Sequence, residues 1–151
     1  MANRMANQVV LVMGAGSCAP GIGNGRASAI LYAREGARAV VCVDIDAASA
    51  AETAAMIASG GNRAISLQGD VTDAARVEAI VAEVMQRYGQ IDVLHNNVGI
   101  TAMGGPVDES IESWHHVMDT NVTAMFLSVK YVLPHMLKAP LPAFKDRKSV
   151  V

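Results

Sequence analysis

The sequence predicts an α/β protein whose parallel sheet is wound on both faces, and three observations carry that prediction. Short apolar runs rich in β-branched residues alternate with longer stretches of helical periodicity. Glycines punctuate the ends of those helical stretches, at Gly60-Gly61 and at Gly89. The first apolar run also leads straight into five glycines within twelve positions, in GAGSCAPGIGNG from Gly14 to Gly25.

The first strand is expected near 8–13, because Val9 to Met13 is apolar throughout, as a strand buried on both faces should be. A helix over about 23–35 follows, with Ala27, Ile30, Leu31 and Arg34 recurring at three- and four-residue steps. The second strand falls at 39–43 and the second helix at 47–59, with Asp46 as its N-cap. A third strand is placed at 64–67. The third helix, 73–88, has the clearest stripe: Val77, Ile80, Val81, Val84 and Tyr88, with Thr72 as the expected N-cap. A fourth strand at 91–95 precedes one long helix over 110–137, with Pro134 expected to kink or fray its last turns. Right-handed crossovers then give a sheet in the order 3-2-1-4, with helices on both faces and an open edge on the fourth strand.

The glycine-rich turn carries the first functional signal. Between a buried strand and a helix, such a turn lets backbone N–H groups approach an anion, and the helix dipole favours the pyrophosphate of a dinucleotide there. Asp44 lies thirty positions after Gly14, at the tip of the second strand. A carboxylate in that place accepts hydrogen bonds from the adenosine ribose and repels a 2′-phosphate. No Arg or Lys adjoins it in sequence, so NAD is expected and NADP disfavoured.

Further motifs make the chain resemble the short-chain dehydrogenase/reductase family, over roughly residues 7–137. Gly14, Gly21 and Gly23 match the glycines of its TGxxxGxG loop, with Met13 where Thr is usual and Cys18-Ala19-Pro20 as an insertion. Asp70-Val71 matches the Asp-hydrophobic pair near the adenine. Asn96-Asn97-Val98-Gly99 matches NNAG, and Asn121 matches the Asn of the active-site helix. The resemblance implies a Rossmann-type NAD-binding domain over 1–137, with Ser17, Ile22 and Ile45 joining the glycines, Asp44, Asp70, Val71, Asn97, Val98 and Gly99 as cofactor contacts. It further implies an oxidoreductase that interconverts a secondary alcohol and a carbonyl, with Asn121 holding an ordered water near the catalytic Lys. The resemblance also implies homo-oligomerisation, as expected of full-length relatives.

The family's Ser and Tyr-x-x-x-Lys have no match in this sequence. Tyr32, Tyr88 and Tyr131 are followed four positions on by Gly36, Asp92 and His135. Residues 138–151, KAPLPAFKDRKSVV, lose the family pattern and are expected to form an atypical, disordered tail. The expectation is therefore a partial fold whose C-terminal half is missing, truncated before its catalytic residues. A catalytically inactive NAD-binding module is the alternative reading.

Composition excludes other classes. The chain has 151 residues, 52% of them hydrophobic and 4% aromatic, which supports one packed domain. A net charge of −2 gives no reason to expect nucleic acid or an anionic membrane. Cys18 and Cys42 are too few for a disulfide framework and point to the cytoplasm. No apolar segment approaches membrane-spanning length, and the N-terminus lacks the core of a signal peptide. Adjacent His115 and His116 face apart on a helix, so no metal site is expected. His95 is expected to be packed or hydrogen-bonded, and Met103 is a candidate substrate contact. On the long helix, Trp114, Val117, Met118, Val122, Met125, Phe126 and Val129 form an apolar stripe that contains Asn121, whose amide needs partners.

Overall fold

The computed structural model describes residues 3–19 and 21–138. Four strands, β1 (Val9–Met13), β2 (Ala39–Asp44), β3 (Ala64–Gln68) and β4 (Val93–Asn96), form one parallel sheet in the order β3-β2-β1-β4. Its register pairs Leu11 with Val41 on one side and with Leu94 on the other. Helices α1 (Asn24–Arg34) and α2 (Ala47–Ser59) cover one face, and α3 (Ala74–Tyr88) and α5 (Ala124–Lys138) cover the other. A short α4 (Ile111–Met118) and a π turn over Asp119–Thr123 lead into α5.

Alternation along the two central strands divides the core in two. Val10, Val12, Val40 and Cys42 pack with Ala29, Ala33 and Ile57 of the first helix pair. Val9, Leu11, Met13, Val41 and Val43 pack with Val77, Ile80, Val81 and Val84 of α3 and with Ala124 and Val132 of α5. Both faces of β1 and β2 are sealed, which is why their sequences are continuous apolar runs. Small alanines on α1 and α2 let those helices approach closely. Burial pushes the Cys42 thiol up to about 12, so it sits in the core as a neutral apolar group.

The caps explain the boundaries. Asp46 accepts from the Ala48 and Ser49 amides, as expected for the start of α2. At α3 the cap is Asp73, which accepts from Ala75 and Arg76. Thr72, the residue expected there, instead pairs its amide and hydroxyl with Asp70 at 2.8 and 2.7 Å. The Asp70 carboxylate captures Thr72, and Asp73 stands one residue nearer the first turn. Gly61 (φ +80°) and Gly89 (φ +75°) adopt the left-handed conformation that ends α2 and α3.

The single helix expected over 110–137 is helical throughout from Ile111 to Lys138, but it carries a π turn within it. In the π turn the Ala124 amide bonds to the Asp119 carbonyl, five residues back. The extra residue shifts the phase of the helix, and α5 then runs on through Pro134 to Lys138. Of the tail expected over 138–151, Lys138 ends α5 and does not begin a disordered segment, and residues 139–151 lie outside the described residues.

The apolar stripe predicted on this helix faces outward. Trp114 is 58% exposed and Phe126 62%, with Val122, Met125, Val129 and Leu133 between a third and two thirds open. Val117 is the half-buried member of the stripe, and Leu127, outside it, is buried. Covering one such side chain is worth ~1.5–3 kcal/mol, while a whole domain is stabilised by only ~5–15 kcal/mol. The 151-residue chain is therefore expected to self-associate, eluting above its monomer mass in size-exclusion chromatography with a low thermal midpoint. A monodisperse monomer with a cooperative melt above mesophilic temperatures would contradict this.

Candidate functional site

The strands all point the same way, so their C-terminal ends open on one side of the sheet. The chain leaves β1 toward β2 and returns to place β4 on the other flank, and a crevice opens where those directions diverge. A cavity of about 620 Å³ fills it. That volume suits a bound small molecule or nucleotide.

The glycine turn forms one wall, and its backbone is tied down from within. The amides of Gly14 and Ala15 both bond to the Val43 carbonyl, at 2.8 and 2.9 Å. Gly16 donates to Asp44 Oδ2 at 2.8 Å, and Ser17 donates to Ser49 Oγ at 2.8 Å. Gly14 has φ +79°, and a Cβ there would press on Val98. At Gly16 a Cβ would meet Ser49 Oγ and Asp44 Oδ2.

Helix α1 starts at the far end of this turn. Its N-cap, Gly23, offers no side-chain acceptor, and the Ala27 amide makes the first bond back to the Gly23 carbonyl. The first-turn amides thus lack intrahelical partners, and Gly23, Asn24 and Gly25 border the cavity. An anion there would complete the cap and meet the positive end of the helix dipole.

Gly25 has a role that the sequence reading did not assign. A Cβ on it would collide with the Gly14 carbonyl oxygen and the Asn97 amide. Such close packing of helix on strand is one of the demands a glycine fingerprint meets. Gly21, by contrast, has open space around its Cβ position, and its φ of +114° is what calls for glycine.

Asp44 ends β2 with its carboxylate at the cavity, where Oδ1 also accepts the Asp46 amide at 3.1 Å. Asp46, Asp70 and Thr72 extend this side, and Val71 is buried beside them. His116 and Thr120 border the opposite side. Among the described residues, the lining carries three carboxylates and neither Lys nor Arg.

Of the residues predicted from sequence, Gly14, Ser17, Gly23, Asp44, Ile45, Asp70, Val71, Asn97, Val98 and Gly99 line this one cavity. Gly21, Ile22 and Asn121 are outside its lining, and Ile22 is 65% exposed. Met103 is 98% exposed in the loop after β4. His95 bonds through Nδ1 to the Tyr32 hydroxyl at 3.1 Å, away from the cavity. Cys18 is exposed, and both cysteines are free. No group of three or more potential metal ligands occurs among the described residues, and no helix among them is long and apolar enough to cross a membrane.

Asn121 holds the wall from behind. Its Nδ2 donates to the Ile100 carbonyl and its Oδ1 accepts the Ile100 amide, each at 2.8 Å. Asn97 similarly donates to the Gly14 carbonyl at 3.1 Å. Two asparagines thus lock the segment after β4, one to the glycine turn and one to the π turn. Backbone geometry of this kind leaves no periodic trace in a sequence; Asn121 stood out as an amide within an apolar stripe and by the resemblance, and its partners are the two backbone groups of Ile100.

The short chain dehydrogenase family pattern matches residues 8–141. The 2,5-dichloro-2,5-cyclohexadiene-1,4-diol dehydrogenase of Sphingobium indicum is 37% identical over 139 residues, which cover 92% of this chain and 53% of that protein. The 2-(S)-hydroxypropyl-CoM dehydrogenase 3 of Xanthobacter autotrophicus is 39% identical over 138 residues, covering 91% and 52%. Among solved structures, a Burkholderia xenovorans protein assigned to the short-chain dehydrogenase/reductases superposes with a TM-score of 0.84 at 44% identity, covering 88% of this chain and 52% of that one. The chain spans about half the length of the curated relatives it matches.

Replacing Asn121 by Ala strips partners from both backbone groups of Ile100. Both residues are part-buried and Ile100 borders the cavity, where water can take the place of the amide, so Asn121→Ala is expected to lower the unfolding free energy in urea by about 0.5–1.5 kcal/mol. An unchanged midpoint would show that the π turn stands without the amide.

Proposed function

The chain belongs to the short-chain dehydrogenase family, and from that premise we propose that it is the cofactor-binding part of an NAD-dependent oxidoreductase acting between a secondary alcohol and a carbonyl. The observation that carries this reading is the shared cavity of Asp44 and the uncapped first turn of α1. Gly23, Asn24 and Gly25 offer amides to a pyrophosphate, and Asp44 stands across the glycine turn to accept from ribose hydroxyls. The pair Asp70-Val71 would border the adenine, and the Asn97–Gly99 backbone the nicotinamide side. When bound, the nicotinamide supplies or accepts the hydride.

Three carboxylates and no lining cation favour NAD over NADP, because a 2′-phosphate would sit near Asp44 and Asp46. Substrates in this reading are small alcohols or carbonyls, the class that the names of the relatives describe. The general acid/base would be a Tyr held beside a Lys. These 151 residues contain no Tyr-x-x-x-Lys, so the chain alone is expected to bind cofactor without turnover. That same feature supports a second reading, an NAD-binding module without catalysis. We place the protein in the cytoplasm, consistent with two unpaired cysteines. The outward apolar row from Trp114 to Leu133 supports homo-oligomerisation.

Calorimetric titration tests the cofactor assignment. The unmodified chain is expected to prefer NAD to NADP, and Asp44→Ala to weaken NAD and narrow that preference. Equal or tighter binding of NADP by the unmodified chain would overturn it.

A further inference from the structure

Arg26 is the third residue of α1, yet its guanidinium is nearly enclosed, with the residue only 3% exposed. It turns beneath the glycine loop toward α2. Nε donates to Thr53 Oγ1 at 3.0 Å, and Nη2 reaches Ser49 Oγ at 3.2 Å and Glu52 Oε2 at 2.6 Å. Nη1 donates to the Gly21 carbonyl at 3.0 Å. Ser49, Glu52 and Thr53 share one face of α2, at helical spacing.

Two of those partners hold the start of the loop in turn. Ser49 Oγ takes the Ser17 amide at 2.8 Å, and Thr53 Oγ1 donates to the Ala15 carbonyl at 2.8 Å. One guanidinium therefore grips the loop at both ends, through hydroxyls at Ala15 and Ser17 and directly at Gly21. The segment between carries the insertion that lengthens this turn. Backbone left free there would have to be ordered when a ligand binds, which weakens binding.

Resting on the dinucleotide reading above, we propose that Arg26 is a positioning residue for the cofactor's pyrophosphate. It fixes the lengthened loop in advance, so that the first-turn amides of α1 face the anion. It does not itself contact a phosphate, because its donors are engaged beneath the loop. Lys cannot replace it: a single ammonium cannot span Thr53, Ser49, Glu52 and Gly21 in a planar fork.

Calorimetric titration of the 151-residue chain with NAD, ADP and adenosine separates this role from general support of the fold. Arg26→Lys is expected to weaken NAD and ADP about tenfold while leaving adenosine unchanged, since adenosine engages only the Asp44 side. Thr53→Val, which cuts the link to Ala15 but keeps the charge, should give the same selective loss and serves where Arg26→Lys does not fold. Unaltered NAD affinity in the folded variants, or a parallel loss of adenosine and NAD, would overturn the positioning role while leaving the dinucleotide reading intact. An unmodified chain that bound neither NAD nor adenosine would overturn both.

Discussion

Four consecutive amides, those of Gly14, Ala15, Gly16 and Ser17, are satisfied from inside the protein, and the geometry of the site depends on that constraint. Two bond to the Val43 carbonyl, one to the Asp44 carboxylate and one to the Ser49 hydroxyl. A glycine-rich segment loses more conformational freedom on ordering than any other, so it needs such anchors. Once held, the turn delivers the chain to Gly23 with the axis of α1 aimed at the crevice. The start of the turn bonds inward, and the first-turn amides of α1 are left without a side-chain cap.

Asp44 has a part in both halves of that arrangement. One of its oxygens anchors Gly16 and the other caps the short turn to Asp46. A carboxylate has about four acceptor sites, so these two amides leave capacity for ribose hydroxyls. The same bonds fix its orientation before any ligand arrives. The opposite wall is built on a related plan. There Asn97 and Asn121 pin the segment after β4 by its backbone, and the π turn brings Asn121 to face Ile100.

Much of this was legible in the sequence because it rests on local rules. The strands follow from short continuous apolar runs and the first three helices from a 3.6-residue period, and Asp46 and Gly89 from capping chemistry. The sheet order follows from the handedness of crossovers. What escaped depends on contacts between distant segments. Gly25 is required by a collision with Gly14, which only the helix-on-strand approach reveals. Arg26 drew no reading from the sequence, because its burial depends on α2 packing over it. The π turn shifts the phase of the last helix by one residue, which a periodic reading of its stripe does not show. That stripe is apolar yet exposed, since periodicity shows which residues share a face but not whether anything covers it.

On the proposed reading, the loop is built before the cofactor arrives and the helix terminus receives it. Residue-resolved amide hydrogen exchange, measured with and without NAD, tests both parts at once. The account predicts that the Gly14–Ser17 amides are protected already in the free chain. It also predicts that Asn24 and Gly25 become protected only when NAD is added. Rapid exchange at Gly14–Ser17 in the free chain, or no change at Asn24 and Gly25 under saturating NAD, would contradict it.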